Sequence, residues 1–260
     1  MIFLYGFIGV MTMMTLLWLI SIKIKNVSIV DIFWGIRFIV AYGIYFYLDA
    51  EWQTRDYLVL ILVTIWGLRL SIYLFIRNRG KGEDFRYKEF RKRYGEDRYW
   101  WFSFFQVFLL QGVLVAIISL PLLGISSHTQ SSNLNFFDYL ATLVWIIGFV
   151  FETVGDLQLS RFKSTPSNKG KVLNTGLWRY TRHPNYFGDA TVWWAYGLFA
   201  IAAGAYWYII GSLIMTYLII RISGVSLLEE SLKKKRPEYV DYMKRTSSFI
   251  PWPPKEPQND

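Results

Sequence analysis

Two arginines, a histidine, an asparagine and a carboxylate crowd into residues 175–189, Thr175-Gly176-Leu177-Trp178-Arg179-Tyr180-Thr181-Arg182-His183-Pro184-Asn185-Tyr186-Phe187-Gly188-Asp189. The apolar helix that follows needs none of them in order to be a helix. Pro184 stands where a first helical turn would begin, a place that suits a residue with no N–H to donate. The free N–H groups of that turn would face Arg179 and Arg182. A helix N-terminus, its partial positive charge and guanidinium forks together can hold a phosphate. Asn185, one residue inside the helix, can donate and accept at once. Asp189 lies four residues on, on the same face. A carboxylate beside phosphate-binding arginines serves a ribose hydroxyl or an amide, so the set favours a dinucleotide-like ligand over a lipid headgroup. The plainer alternative is a basic juxtamembrane cluster that attracts anionic lipid. It explains the charge but calls for neither Asn185 nor Asp189.

A second polar set lies inside apolar stretches, where ionisable groups are costly and usually face a bundle interior. Asp31, Arg37, Arg69, Glu152 and Asp156 belong to it. Arg37 and Arg69 read equally well as structural partners that neutralise Asp31 or Glu152. Glu152 and Asp156 share one helix face that leads into Arg161 and Lys163, and a stripe Trp145, Gly148, Glu152, Asp156 runs along it. Gly148 would leave room for something flat to approach. His128 reads as a solvated loop residue. Most Trp and Tyr residues suit interfacial belts or the core; Trp178, embedded in the basic motif, is the one expected to stack on a ligand.

The elements that must carry these residues are membrane spans. The chain of 260 residues is 53% hydrophobic and 19% aromatic, and its apolar residues fall in blocks rather than stripes. A span needs about 20 mostly apolar residues. Seven blocks qualify, near 2–22, 29–48, 57–76, 102–125, 136–159, 186–203 and 205–224. The expectation is an all-α, polytopic integral membrane bundle forming one domain over 1–260. The first block lacks a charged leader and a small-x-small cleavage site, so it reads as a span. The net charge of +9 tracks alternate loops, which argues against nucleic acid. Loop 77–99 and loop 160–185 are basic, whereas 49–56 is net acidic and 126–135 carries no Asp, Glu, Lys or Arg. By the positive-inside rule the N-terminus is outside, and the basic loops and the segment 225–260 are cytoplasmic. That places the polar motif on the cytoplasmic side of its membrane.

With no cysteine, disulfides, iron–sulfur clusters and thiol catalysis are excluded. Two histidines make a histidine metal site a poor expectation, although carboxylates alone can hold magnesium. No Rossmann fingerprint, Walker loop, nucleophile elbow or internal repeat is present, and Gly80-Lys81-Gly82 reads as a turn. Ala203-Gly204-Ala205-Tyr206 reads as a tight helical hairpin. Segment 226–245, with Leu227, Leu228, Leu232, Tyr239, Tyr242 and Met243 among charges, reads as a helix that Pro237 interrupts or restarts. Phe249-Ile250-Pro251-Trp252-Pro253-Pro254 should lie extended against the membrane face.

The run Leu177 to Asp189 resembles the signature of the steroid 5-alpha-reductase-like family of membrane proteins, and a bacterial branch of it most closely. Asp31-Ile32-Phe33-Trp34-Gly35, Arg79-Gly80-Lys81-Gly82-Glu83-Asp84-Phe85-Arg86-Tyr87, and the tail Ser223-Gly224-Val225-Ser226-Leu227-Leu228-Glu229 with Tyr239, Tyr242 and Phe249-Ile250-Pro251 fit the same branch. The resemblance implies a cytoplasm-facing NADPH pocket among the C-terminal spans. Asn185 and Asp189 would match its nicotinamide side, Arg182, His183 and Tyr186 would line it, and Glu229, Tyr239 and Tyr242 would form its C-terminal part. Arg161 and Lys163 resemble the basic pair after the fifth span. The acidic substrate-polarising residues of the family's N-terminal spans have no clear counterpart here. Membrane isoprenylcysteine and phospholipid methyltransferases share Arg-His-Pro-x-Tyr-x-Gly and an acidic C-terminal helix, here Glu229-Glu230, and bind S-adenosylmethionine. The pair Asn185 and Asp189 leans to the reductase side.

The expectation is therefore NADPH-dependent reduction of a conjugated carbon–carbon double bond in a lipid, sterol-like or isoprenoid substrate that enters from the bilayer. Hydride goes to the beta carbon, and a buried acid polarises the oxygen or supplies the proton. Glu152 is the candidate, since burial favours the neutral acid; Tyr186 joins it as a catalytic candidate, with Tyr42 and Tyr45 as alternatives. Arg161, Lys163, Arg179 and Arg182 would take phosphates and Trp178 would stack on a ring. A lipid methyltransferase is the second reading and a non-enzymatic lipid-binding protein the third.

Overall fold

The computed structural model describes residues 1–49, 51–128, 133–223, 225, 229–230, 232–233 and 236–255. Leu227 and Leu228, expected on a cytoplasmic helix, lie outside the described residues. No strand occurs among the described residues, and one isolated bridge, Thr181 to Ser247, is the nearest approach to one. The chain forms two compact units. The first is Met1–Asn135 with Phe199–Tyr208, and the second is Phe136–Leu198 with Ile209–Asp260.

All seven apolar blocks are helical, but they are not seven equal spans. Among the described residues, four helices are long and apolar enough to cross a membrane: Ile2–Ile24, Thr54–Asn78, Glu96–Ile118 and Phe136–Ser164. The block at 29–48 is broken at Phe33 into α2 (Ile29–Ile32) and the 15-residue α3 (Trp34–Leu48). Glu96–Ile118 contains a π-helical turn, Phe104–Leu109, between α6 (Glu96–Ser103) and α7 (Leu110–Ile118), and α8 (Leu120–Ser127) follows. The last block holds α11 (Ile210–Tyr217) and a second π-helical turn, Leu218–Ser223. Helix α10 (Pro184–Ala202) is 19 residues long, and the polar motif at its start keeps it out of the strongly apolar set.

In the first unit, α1 (Ile2–Ile24) and α4 (Thr54–Asn78) flank α3. Helices α3 and α4 touch backbone to backbone. A Cβ on Gly35 would lie 2.6 Å from Gly67 Cα, and one on Gly67 would lie 2.8 Å from Gly35 O. Small residues let membrane helices approach this closely. Around the crossing Phe38, Tyr42, Val59, Val63 and Trp66 are fully buried.

At the break around Phe33 the carbonyls of Val30 and Phe33 each accept one backbone bond, from Phe33 N and Arg37 N, and the Arg37 side chain adds a second donor to each. Its Nε donates to Phe33 O (3.3 Å), Nη2 to Val30 O (3.3 Å) and Nη1 to Gln111 Oε1 (2.7 Å), with the guanidinium 4.6 Å over the Trp34 ring. Asp31 acts on Arg37 through its charge, as the sequence suggested, and not through a direct hydrogen bond. Asp31 takes its hydrogen bonds from the loop instead, from Arg86 Nη2 (2.8 Å) and Tyr87 OH (2.7 Å). Arg69 lies near the Tyr73 ring, 5.6 Å from its centroid. His128 is exposed, as expected, with its ring edge-on to Tyr208.

Two expected turns hold. Gly80 and Gly82 both have positive φ, 75° and 70°. At the end of α10, Ala205 N donates to Ala200 O and Gly204 N to Ile201 O, with Gly204 at φ 86°. That paired bonding is the glycine-capped helix end that reverses a chain sharply.

Candidate functional site

The second unit is organised by a second glycine crossing. Helix α9 (Phe136–Ser164) meets α10 where a Cβ on Gly188 would lie 2.8 Å from Glu152 Cα, and one on Gly148 would lie 2.7 Å from Val192 N. This corrects the reading of Gly148: what approaches it is the backbone of α10, not a ligand. One turn along, a Cβ on Gly155 would sit 3.0 Å from Asn185 N. The first turn of α10 is thus pressed against the α9 backbone beside Asp156.

This contact brings together residues far apart in sequence. Asn185 Nδ2 donates to Asp156 Oδ1 at 3.1 Å, while Asn185 Oδ1 is buried and accepts no hydrogen bond among the described residues. Glu152 and Asp156 are buried and Asp189 is half-buried. Behind them Trp145 Nε1 donates to Tyr196 OH at 3.0 Å, closing the apolar end of the seam. The seam carries three carboxylates and an amide. A helix N-terminus favours negative charge, and here Asp156 supplies it. Among the described residues no cluster of three Asp, Glu or His has the arrangement to hold a metal.

The motif before α10 is fastened rather than open. A 3-10 turn, Gly176–Arg179, starts at Gly176 with φ 62°, and Gln158 Oε1 accepts from Leu177 N at 3.0 Å. The structure puts Trp178 to a different use from the stacking expected of it. Its indole is buried, Nε1 donates to Gly155 O at 3.2 Å, and Tyr242 OH donates to its carbonyl.

Arg182 is also turned inward. Nε donates to Glu229 Oε1 at 2.8 Å and Nη1 to Met243 O and Thr246 O. Two of its three nitrogens are thereby committed within the fold. His183, buried beside it, reaches the same Glu229 Oε1 through Nε2 at 3.2 Å and stacks on the Tyr186 ring at 5.6 Å. Burial alone would raise the Glu229 carboxyl, but the bonds from His183 and Arg182 hold it below its ordinary range. Burial and then Glu229 push the Tyr239 phenol up to about 12, and burial next to Tyr239 pushes Tyr242 up as well.

The remaining basic residues, Arg161, Lys163 and Arg179, are exposed. Helix α12 (Glu238–Arg245) begins just after Pro237, which restarts the chain as a helix. Beyond it the tail lies extended on the motif. Arg182 N donates to Ser247 O (2.9 Å), Thr181 Oγ1 to Phe249 O (2.8 Å) and Trp252 N to Tyr180 O (2.9 Å).

The sequence-expected residues therefore fall into three groups: Glu152, Asp156, Asn185 and Asp189 on the seam; Arg182, His183, Tyr186, Glu229, Tyr239 and Tyr242 in the fastening; Arg161, Lys163 and Arg179 at the surface. Gln158 and Gly155 went unnoticed in the sequence. The signal was there in the small residues at Gly148 and Gly155, seven apart on the acidic face.

A family model described as "Protein of unknown function (DUF1295)" matches residues 17–246. The chain belongs to the DUF1295 family. The match includes the whole seam and fastening. An uncharacterized protein of Schizosaccharomyces pombe is 26% identical over 264 aligned residues, covering 90% of this chain and 75% of that one. A protein of Ustilaginoidea virens named "Probable O-methyltransferase ustE" is 36% identical over 118 residues, 44% of this chain and 38% of its own length. No solved structure matches.

Proposed function

We propose that this DUF1295 member is a membrane enzyme that reduces a carbon–carbon double bond in a lipid, with NADPH as hydride donor. The observation that carries the reading is the seam at Gly148 and Gly188. It sets an amide with a buried open acceptor, Asn185, between Asp156 and Asp189, with the acid Glu152 beside them. A nicotinamide carboxamide offers N–H donors to the open acceptor Asn185 Oδ1, and ribose hydroxyls suit the carboxylates. The exposed Arg161, Lys163 and Arg179 lie in the same unit for the phosphates. When bound, the cofactor supplies the hydride. Glu152 holds the proton or polarises the acceptor oxygen, and the dry helix walls exclude water. In this reading the chain spans the membrane seven times, the N-terminus is outside, and the fastening faces the cytoplasm. Kinship to steroid 5-alpha-reductase-like proteins, on the motif 177–189, supports it.

Methyl transfer from S-adenosylmethionine is the second reading. The name of the Ustilaginoidea virens relative favours it, and a seam rich in carboxylates suits a cationic sulfonium and ammonium. One experiment separates the two. The solubilised protein is heated with NADPH, NADH or S-adenosylmethionine, since a ligand that binds only the folded state raises apparent stability. A rise with NADPH that Asp189→Ala removes is expected. A rise with S-adenosylmethionine alone overturns the reductase.

A further inference from the structure

We infer that the basic face around α5 (Phe85–Tyr94), in the first unit, is a docking surface for the headgroups of anionic phospholipids. The loop that carries it is held on a built platform. Val27 N donates to Glu83 Oε1 (2.8 Å), Asp84 N to Ser28 Oγ (2.9 Å), and Arg86 and Tyr87 bind Asp31. Arg91 closes on Glu83 at 2.9 Å, and Asp84 caps α5 by accepting from Arg86 N.

These bonds use the acids of the loop internally. Glu83, Asp84 and Asp31 are engaged, and the paired cations are Arg86 and Arg91. Arg77, Lys81, Lys88, Lys92, Arg93 and Arg98 stay exposed and make no salt bridge among the described residues. Against these six cations stand the exposed acids Glu89, Glu96 and Asp97. The face is thus positive as a consequence of the fold, and not only of composition.

Its depth is marked by aromatics. Phe85 is 73% exposed, and Trp100 and Trp101, 52% and 42% exposed, open the apolar helix Glu96–Ile118. Exposed tryptophans at the head of a span sit at headgroup level. Cations on the preceding turn then lie at the level of lipid phosphates, where each basic residue adds to the attraction. The partner is a lipid phosphate of net negative charge. A free phosphate would not explain the aromatics beside the cations.

The test is native mass spectrometry of the whole protein in detergent with phosphatidylglycerol or phosphatidylcholine, alongside Lys88→Gln/Lys92→Gln/Arg93→Gln. The expected result is preferential retention of phosphatidylglycerol, unaffected by inorganic phosphate, with affinity falling roughly fivefold for each charge removed. Equal retention of the two lipids overturns the inference, as does a preference that the variant keeps. Asp31→Asn is a second probe. It loosens the platform while leaving every cation of the face in place and removing one acid, Asp31, so a loss of preference there, against the gain in positive charge, locates the site on the folded loop; an unchanged or stronger preference overturns the role of the platform.

Discussion

Each unit contains one helix crossing made by facing glycines, Gly35 with Gly67 in the first and Gly148 with Gly188 in the second. The packing device is the same, and what flanks it is not. Beside the first crossing stand Phe38 and Trp66, which fill the space. Beside the second stand Glu152, Asp156, Asn185 and Asp189, with one buried acceptor still open. Close approach alone is therefore a structural instrument. It becomes a site only where polar groups are carried into the gap it creates.

The two crossings can be broken in parallel. Gly67→Leu and Gly188→Leu each drive a side chain into backbone, at a cost beyond about 4 kcal/mol, and both should abolish recoverable folded protein in a detergent melting assay. The milder alanine changes separate them. Gly67→Ala should lower the melting temperature and leave NADPH-induced stabilisation in the surviving fold. Gly188→Ala should remove that stabilisation, because it forces the seam apart; equal responses would undo the contrast.

The two buried arginines extend the comparison. Removing Arg182 leaves the half-buried Glu229 carboxylate with His183 alone, a loss of about 3 kcal/mol, the lower end for a broken buried pair. Removing the Arg37 side chain takes the donor from Gln111 Oε1, while Val30 O and Phe33 O keep their backbone bonds, a loss of about 1–3 kcal/mol for one neutral group. Chemical unfolding of Arg182→Met and Arg37→Met should rank them in that order.

Acid sharpens the contrast further. Glu229 has its folded-state pKa lowered, so its contribution is complete above the unfolded carboxylate value and is lost as pH falls through the lowered one. Melting of the wild type should decline on this limb below about pH 4.3, the ordinary Glu value. Glu229→Gln should flatten that limb, and Arg37→Met should leave it unchanged. The smallest effect belongs to Arg86→Ala. Its pair with Asp31 has the arginine 50% exposed, and such pairs contribute less than about 1 kcal/mol.

Helix content was legible from the apolar blocks, and the chemistry-bearing motif from its residue types. The break at Phe33 was not, because Asp31 and Arg37 mark the run 29–48 as carrying buried polar groups without marking where its backbone bonds are interrupted. Helix α5 was read only as a basic loop, since its turn is fixed by Asp84 and by bonds to residues 27–31. The seam was half visible. Glu152 and Asp156 were placed on one face by their spacing, but the partner of Gly148 sits forty residues later and no local pattern names it. The internal bonds of Arg182 were hidden for the same reason. Its ligands Glu229, Met243 and Thr246 follow it by 47 to 64 residues.

The extended tail imposes an order on biogenesis. Tyr180, Thr181 and Arg182 receive their backbone partners from Ser247, Phe249 and Trp252. A ribosome that has delivered α10 has not yet made those residues. Those three residues must wait until α11 and α12 have been made before their last strap arrives. A stop codon placed after Arg245 would yield every helix described here and still leave that motif unlaced.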